Sequence, residues 1–526
     1  MQRDVDFHRQ GWRAVWLVNG LFAIGHLALA KMFPLLQDET YYWTWSRHLD
    51  GGYFDHPPLV AWMIRASEAL MLGSRSALSV RLVSVFAGWA ASMVVAATAR
   101  RIAGDRAALA AAVAFNVIPL TSAEAFPAVP DSPLILFQSV ALYCIVCAFM
   151  APKRPFRWWC VAGVSVGFGL LSKYTAVLLP LSLLVAMLVR PRLRNALATP
   201  GPYVAACVAL LLFSPVLWWN AHHGWASFRF QLAHGFGSQD GSLLLRELRF
   251  LIDQAAVITP IVFALIIFAT WNGLRRPASD VQFALAGITL TTGVLFVLSS
   301  TQHLVQANWP APMYPSGIVL VSMEAARGTT KQWFRFGVAL SALLFGCVLI
   351  ALVVAMRFVT LLPTSVSEKL SGALTEISEW DVAARSVIDL RNKLKKDQPC
   401  CGRNVSVAAG RYQDVSKLTY ALSQRGVFTD VFSIRPLGGR LNQYDFWPDF
   451  PQKARIGDAL ILVVAESSLD EVPRVVADLA RAFHHFTRGD TVPLTIGPHA
   501  VKQRRIWIFE EYNGAWPGSL AHPIGL

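Results

Sequence analysis

Two adjacent carboxylates, Asp38 and Glu39, stand among aromatic residues in Gln37-Asp38-Glu39-Thr40-Tyr41-Tyr42-Trp43-Thr44-Trp45, directly after the first apolar run of the chain. An acid at a membrane edge is costly to keep and marks a functional position, so Asp38 is read as the catalytic group. A third acid, Asp131, lies between prolines in Pro130-Asp131-Ser132-Pro133. Two cations fall in comparable places: His56 in Tyr53-Phe54-Asp55-His56-Pro57-Pro58, and Lys173 in Leu171-Ser172-Lys173-Tyr174-Thr175. Each residue also has a plain structural reading. Asp38 and Glu39 suit a helix N-terminus, and Asp131 suits a turn or cap. His56 suits a packed loop. Lys173 suits an interfacial anchor, and Tyr41, Tyr42, Trp218 and Trp219 suit an aromatic belt.

The elements that carry these residues are membrane helices. The chain has 526 residues, 54% of them hydrophobic and only 15% charged, and its mean hydropathy is positive. That is too apolar for a soluble protein of this length. About eleven apolar runs, most of them roughly 17 to 22 residues and long enough to span a bilayer, are expected at 14–30, 78–98, 107–120, 134–150, 158–171, 176–189, 203–219, 255–271, 281–298, 312–325 and 336–356. The net charge of +14 does not form a basic face with interleaved aromatics, which excludes nucleic acid as a partner. It sits in alternate connections, at Arg100, Arg101 and Arg106, at Lys153, Arg154 and Arg157, at Arg190, Arg192 and Arg194, and at Arg275 and Arg276. By the positive-inside rule these face the cytoplasm. The connections at about 31–77, 121–133, 220–254 and 299–311, which hold Asp38, Glu39, Asp131 and His303, then lie outside it.

No cleavage site follows the first run, so that run is expected to stay as a helix. After residue 357 the composition turns soluble. The expectation is a membrane domain over 1–357 and an extracytoplasmic α/β domain over 358–526, with strands at 405–409, 427–434, 460–465 and 505–510 and helices near 414–424 and 469–483. Cys144, Cys147, Cys160, Cys207 and Cys347 lie in apolar runs as packing residues. A bridge between the neighbours Cys400 and Cys401 would be strained, so no disulfide framework is expected.

Taken together, Asp38-Glu39-Thr40-Tyr41-Tyr42-Trp43, Tyr53-Phe54-Asp55-His56-Pro57-Pro58-Leu59, Leu171-Ser172-Lys173-Tyr174-Thr175, Ser214-Pro215-Val216-Leu217-Trp218-Trp219-Asn220, Asn308-Trp309-Pro310-Ala311-Pro312 and Asn442-Gln443-Tyr444-Asp445 resemble the blocks of GT-C glycosyltransferases. The likeness is to the bacterial branch that holds the lipid A aminoarabinose transferase and the protein O-mannosyltransferase-like enzymes. The resemblance implies a polytopic helical GT-C fold with a C-terminal α/β domain, in the bacterial inner membrane, with its active site and that domain on the periplasmic side. It implies a polyprenyl-phosphate sugar donor, membrane lipids around it, and a glycolipid, glycan or protein acceptor.

Inverting transfer needs a base on the face opposite the leaving group. Asp38 fits that role, with Glu39 and Asp131 organising the site. The departing phosphate needs positive charge, for which His56 and Lys173 are the candidates. The aminoarabinose transferase carries a lysine in the motif where this chain has His56. Tyr41, Tyr42, Asp55, Trp219, Asn220, His303, Asn308 and Trp309 are expected to line the substrate pocket. No cofactor is required by the sequence. In relatives that use a divalent cation, Mg or Mn, its ligands would here be Asp38, Glu39 and Asp131. The alternative is a transporter or flippase of a lipid-linked or small polar substrate, against which stands the lack of repeated halves and of acids in the middle of a span.

Overall fold

A computed structural model describes residues 2–150, 155–236, 242–358, 374–396, 403–435, 440–465, 474–496 and 499–520. Lys153, Arg154, Cys400, Cys401 and the first part of the helix expected at 469–483 lie outside the described residues. The chain forms two compact units. The first comprises 1–31, 49–70 and 78–349, and the second comprises 32–48, 71–77 and 350–526.

The first unit is helical. In chain order it holds α1 (Gln2–Met32), α3 (Leu59–Leu70), α4 (Ala77–Val117), α5 (Pro119–Ala123), α6 (Asp131–Met150), α7 (Pro155–Ser172), α8 (Leu178–Val189), α9 (Pro191–Arg194), α10 (Gly201–His222), α11 (Ala226–Phe236), α12 (Leu243–Ile258), α13 (Pro260–Arg275), α14 (Asp280–Ser300), α15 (Tyr314–Arg327) and α16 (Lys331–Phe358), the last running on into the second unit; α2 (Gln37–Trp45) belongs to the second unit. All eleven expected runs lie on helical segments. Among the described residues six helices are long and apolar enough to cross a membrane, or eight if two bent pairs count as spans. The difference from eleven has local causes. The 41 residues of α4 exceed what a ~30 Å hydrocarbon core accommodates, and Gly104, at φ 80° and ψ −173°, breaks it between the runs expected at 78–98 and 107–120. The runs at 176–189 and 255–271 fall on bent pairs, at 116° and 103°. At only 14 residues, α15 falls short of a span by itself.

Small residues let these helices approach closely. Ala91, Ala107, Ala111 and Ala114 of α4 share one core with Ile135 and Leu142 of α6, Leu183 of α8, Ile266 of α13 and Ile288 of α14. At Gly88 even a methyl group would meet Ala125, with its Cβ at 2.5 Å and its Cα at 2.6 Å. The connections expected as loops at 31–77 and 220–254 hold α2, α3, α11 and the start of α12. Of these, α2, α3 and α11 are too short to cross a membrane, while α12 belongs to a bent pair.

The second unit is built on a five-stranded sheet of order β2-β1-β3-β5-β4, with β1 at Val405–Ala409, β2 at Val431–Ser433, β3 at Ala459–Ala465, β4 at Phe483–Ile496 and β5 at His499–Tyr512. β1 pairs in parallel with β2 and β3, while β5 runs antiparallel to both β3 and β4. Its helices are α17 (Asp381–Lys396), α18 (Tyr412–Gln424), α19 (Phe450–Lys453) and α20 (Arg474–Leu479). β1 and β3 are almost wholly buried, which is why they read as apolar runs. β4 was not expected. It is an edge strand whose first half is largely exposed, with a register shift between Arg488 and Thr491 and with Pro493 in its run, features that edges tolerate. Beside the division expected at residue 357, the second compact unit also takes in 32–48 and 71–77.

Candidate active site

The acidic pair splits its duties at the N-terminus of α2. Leu36 is the N-cap residue, and the Glu39 side chain reaches back to accept from the Leu36 backbone N–H at 2.9 Å, the one half of a capping box that a leucine N-cap allows. Glu39 is fully buried. Asp38, one residue earlier, keeps an exposed side chain in the first turn. Although solvent reaches it, the surrounding protein strips much of its hydration. That desolvation, with the Glu376 carboxylate nearby, pushes its carboxyl up to about 6, Arg440 opposing the rise and Glu39 adding a little. A carboxylate so poised is a better proton acceptor near neutral pH than an ordinary aspartate.

The second unit grips this helix firmly. The Lys417 ammonium donates to the carbonyls of Leu35, at 2.5 Å, and Ser378, at 3.0 Å. The Gln37 amide donates to Thr375 O at 3.2 Å. Tyr41 OH accepts from the Gln443 backbone N–H at 2.6 Å, and its ring lies 4.8 Å from that of Tyr412 and 5.8 Å from that of Tyr444. Tyr42 packs edge-on against Trp45 at 4.9 Å. Both tyrosines are buried, and their aromatic surface packs α2 within the second unit. The motif Asn442-Gln443-Tyr444-Asp445 forms its own capping box, pinned by a bidentate Arg435–Asp445 pair with both contacts at 2.8 Å. It thereby buttresses the Asp38 helix.

In the first unit, Asp131 opens α6 and Lys173 follows the last residue of α7. The Lys173 ammonium donates to both carboxylate oxygens of Asp131, at 2.8 and 2.9 Å, with both residues buried. Asn308 donates to the same carboxylate at 3.4 Å and also hydrogen-bonds Glu124, which sequence reasoning overlooked. Desolvation and the Asp131 charge push the Glu124 carboxyl well up from its ordinary range, while Lys173 and Asn308 oppose the rise. Four side chains expected or hidden in three separate connections thus form one polar cluster, with Asp131 and Lys173 buried and Glu124 and Asn308 half-buried. The backbone of residues 118–130 that brings Glu124 there is the segment pressed against Gly88.

The remaining expected residues are placed less directly for chemistry. Asp55 is buried, and its backbone carbonyl accepts from the Gln231 amide at 2.6 Å. His56 beside it is partly exposed. The Trp219 indole donates to Asp50 at 3.0 Å, and Asn220 bonds Val216 O and the Phe228 N–H. Both are buried: Trp219 ties the loop at 50–53 to the end of α10, and Asn220 ties that end to α11. His303 bonds Ser299 at 3.2 Å, while burial and Arg246 push its imidazole down toward the neutral form. The Trp309 indole donates to Gln306 at 3.1 Å.

The residues proposed to hold a divalent cation do not fit one. Glu39 is committed to the cap and Asp131 to Lys173, and among the described residues no group of three His, Cys, Asp or Glu side chains is arranged around a common point. No step is therefore routed through a metal. Glu124 was legible as an acid in an apolar connection. Glu376 and Arg440 were not, since only the fold of the second unit brings them to Asp38.

Comparison with known proteins agrees with this architecture. The model of the dolichyl-phosphate-mannose-protein mannosyltransferase family matches residues 55–219. The lipid A galacturonosyltransferase RgtD of Rhizobium johnstonii is 29% identical over 283 residues, covering 54% of this chain; the match spans only 59% of that relative's length. ArnT from Cupriavidus metallidurans in the apo state superposes with a TM-score of 0.62 at 17% identity, covering 98% of this chain and 100% of the other. Its form bound to undecaprenyl phosphate gives 0.62 at 16%, covering 97% and 99%. At such identities the structural likeness speaks for the fold. By that likeness the chain has the fold of ArnT, with several helices long and apolar enough to cross a membrane.

Proposed function

We propose that this protein is an inverting glycosyltransferase that moves a sugar from a polyprenyl-phosphate donor to a glycolipid of the bacterial envelope, on the periplasmic face of the inner membrane. The observation that carries the reading is Asp38: an accessible carboxylate with a raised proton affinity, presented by a helix whose other acid is spent on capping. The acceptor hydroxyl oxygen attacks the anomeric carbon and its proton passes to Asp38. The bond from that carbon to the phosphate oxygen breaks, and the electron pair leaves with the phosphate, which needs no general acid. In the first unit, Lys173 spends two of its three N–H donors on Asp131. Its third is proposed for the donor phosphate, with Asp131 and Glu124 holding the ammonium in place and His56 as a second contact.

Galacturonic acid is the first sugar to test, with lipid A or lipopolysaccharide core as acceptor, because RgtD carries that activity in its name. The relatives are named as galacturonosyltransferases, which leaves the transport reading without support. The test is purified protein in lipid nanodiscs, offered polyprenyl-phosphate galacturonate and, separately, polyprenyl-phosphate aminoarabinose, with lipid A read by mass spectrometry. Gain of one sugar mass by lipid A with wild type, and none with Asp38→Asn, supports the proposal. Transfer undiminished in Asp38→Asn refutes the base assignment, and no transfer from any polyprenyl-phosphate sugar refutes the reaction class.

A further inference from the structure

Residues 71–77 form a short tip that the mechanism does not use. Leu72 is 98% exposed at φ 54°, a backbone region that leucine seldom occupies. The tip does not wave freely. A turn closes from Ser74 N–H to Met71 O at 3.0 Å, and the Arg75 carbonyl accepts from both Tyr420 OH and the Gln424 amide of α18 at 2.7 Å. The Arg75 guanidinium lies 4.1 Å from the centre of the Phe428 ring, and Phe428 is itself 68% exposed. One guanidinium nitrogen of Arg75, Nη1, is buried and has no hydrogen-bond partner. Two large apolar side chains and a half-buried guanidinium are thus held together by these contacts, all within the second unit.

Chain continuity indicates what meets them. Two residues after Arg75 begins a helix, at Ala77, that is long and apolar enough to cross the membrane. At a fully extended ~3.3–3.6 Å per residue, Leu72 is no more than roughly 18 Å of chain from that entry point, which keeps it at headgroup level or just outside. Leucine and phenylalanine beside an arginine are the side chains that partition into this interface, the apolar parts toward the acyl boundary and the charge toward phosphate. A bound bilayer would also offset the backbone cost of holding Leu72 in the left-handed region.

We infer that Leu72, Arg75 and Phe428 form an interfacial anchor by which the second unit docks on the phospholipid leaflet, Leu72 and Phe428 entering the acyl boundary and the Arg75 guanidinium binding a lipid phosphate. The anchor is clipped to α18. The same helix supplies Lys417, which holds the N-terminal end of α2, and Tyr420, whose ring packs edge-on against Trp43 of α2 at 5.2 Å. The anchor therefore ties the Asp38 helix to the lipid surface through two contacts.

The test uses the full chain in nanodiscs of phosphatidylethanolamine and phosphatidylglycerol, with the photo-crosslinker benzoylphenylalanine placed at position 72, 428 or, as a water-facing reference on β4, 485. Mass spectrometry should find phospholipid adducts at 72 and 428 at least five-fold above those at 485, and Arg75→Gln should lower the yield at 428 several-fold. Adducts at 72 and 428 no more frequent than at 485 would overturn the anchor, as would adducts to a second copy of the chain. Unchanged yield in Arg75→Gln would overturn the phosphate contact. Correct folding of each variant is read from its thermal unfolding, so a misfolded protein is not mistaken for an undocked one.

Discussion

The pH dependence of transfer should report Asp38 directly. Its carboxyl is raised from 3.8 to about 6, so a reaction that needs it ionised has kcat/KM rising with pH through that value and level above about 7. At pH 5 roughly a tenth of the plateau rate should remain, whereas an aspartate at its ordinary value would leave about nine-tenths. The causes of the shift supply the controls. Glu376→Gln removes a like charge and should move the inflection down, and Arg440→Gln removes an opposing charge and should move it up, with the plateau little changed. Asp38→Asn should lose roughly 10²- to 10⁴-fold, the usual contribution of a general base.

The assay is initial-rate transfer at sub-saturating donor in nanodiscs between pH 4.5 and 8.5, with thermal unfolding followed on the same samples. Because the folded value lies above the unfolded one, protonated Asp38 contributes stability that is fully present below about 3.8 and lost as pH rises through about 6. Asp38→Asn should therefore unfold at a temperature equal to or above wild type at pH 7.5, the difference vanishing near pH 4. A flat profile from pH 5 to 7, or an inflection indifferent to both charge changes, would refute the assignment of Asp38 as the base.

Other substitutions separate framework from chemistry. Glu39→Gln keeps a capping-box side chain and should retain most of the activity, whereas Glu39→Ala leaves the cap open, costing about 1 kcal/mol in thermal or denaturant unfolding. Lys173→Met strands a buried carboxylate and should destabilise the first unit by about 3–5 kcal/mol. The double change Asp131→Leu with Lys173→Met should recover most of that stability and none of the transfer. Gly88→Ala puts a methyl group against the Ala125 backbone, so it should cost about 1–3 kcal/mol by overpacking and lower transfer by displacing the segment that carries Glu124.

What the sequence disclosed follows from the range of the forces involved. Spans were legible because lipid demands long apolar runs, and all eleven runs proved helical. The parallel strands β1 and β3 were legible because burial on both faces makes them apolar throughout. The edge strand β4 was not, since solvent on its outer side leaves a polar string with a glycine and a proline. The Asp131–Lys173 pair joins residues 42 positions apart, and sequence marked each end but not their union. Lys173 was read as free to meet a phosphate, and its partner was hidden because nothing local relates the start of α6 to the end of α7. Tyr41, Tyr42 and Trp219 were marked as pocket aromatics by type alone. Burial sends the tyrosines to packing and the tryptophan to Asp50.

The division between Asp38 and Glu39 has a geometric root. Successive residues on a helix point about 100° apart, so they do not share a face. Once Glu39 turns back to the Leu36 N–H, its neighbour is committed to another direction, and the grip of Lys417 on Leu35 and of Gln37 on Thr375 fixes which direction that is. The helix N-terminus by itself would favour the ionised acid, making Asp38 a weaker base than a free aspartate. Desolvation and Glu376 outweigh that preference, and Arg440 keeps them from driving the carboxyl fully neutral. A side chain buried as deeply as Glu39 would be out of an acceptor's reach, and one left wholly in water would bind a proton too weakly near neutral pH. Asp38 avoids both because the cap is supplied by the residue beside it, so losing Glu39's cap should disturb the base's orientation before it disturbs the fold.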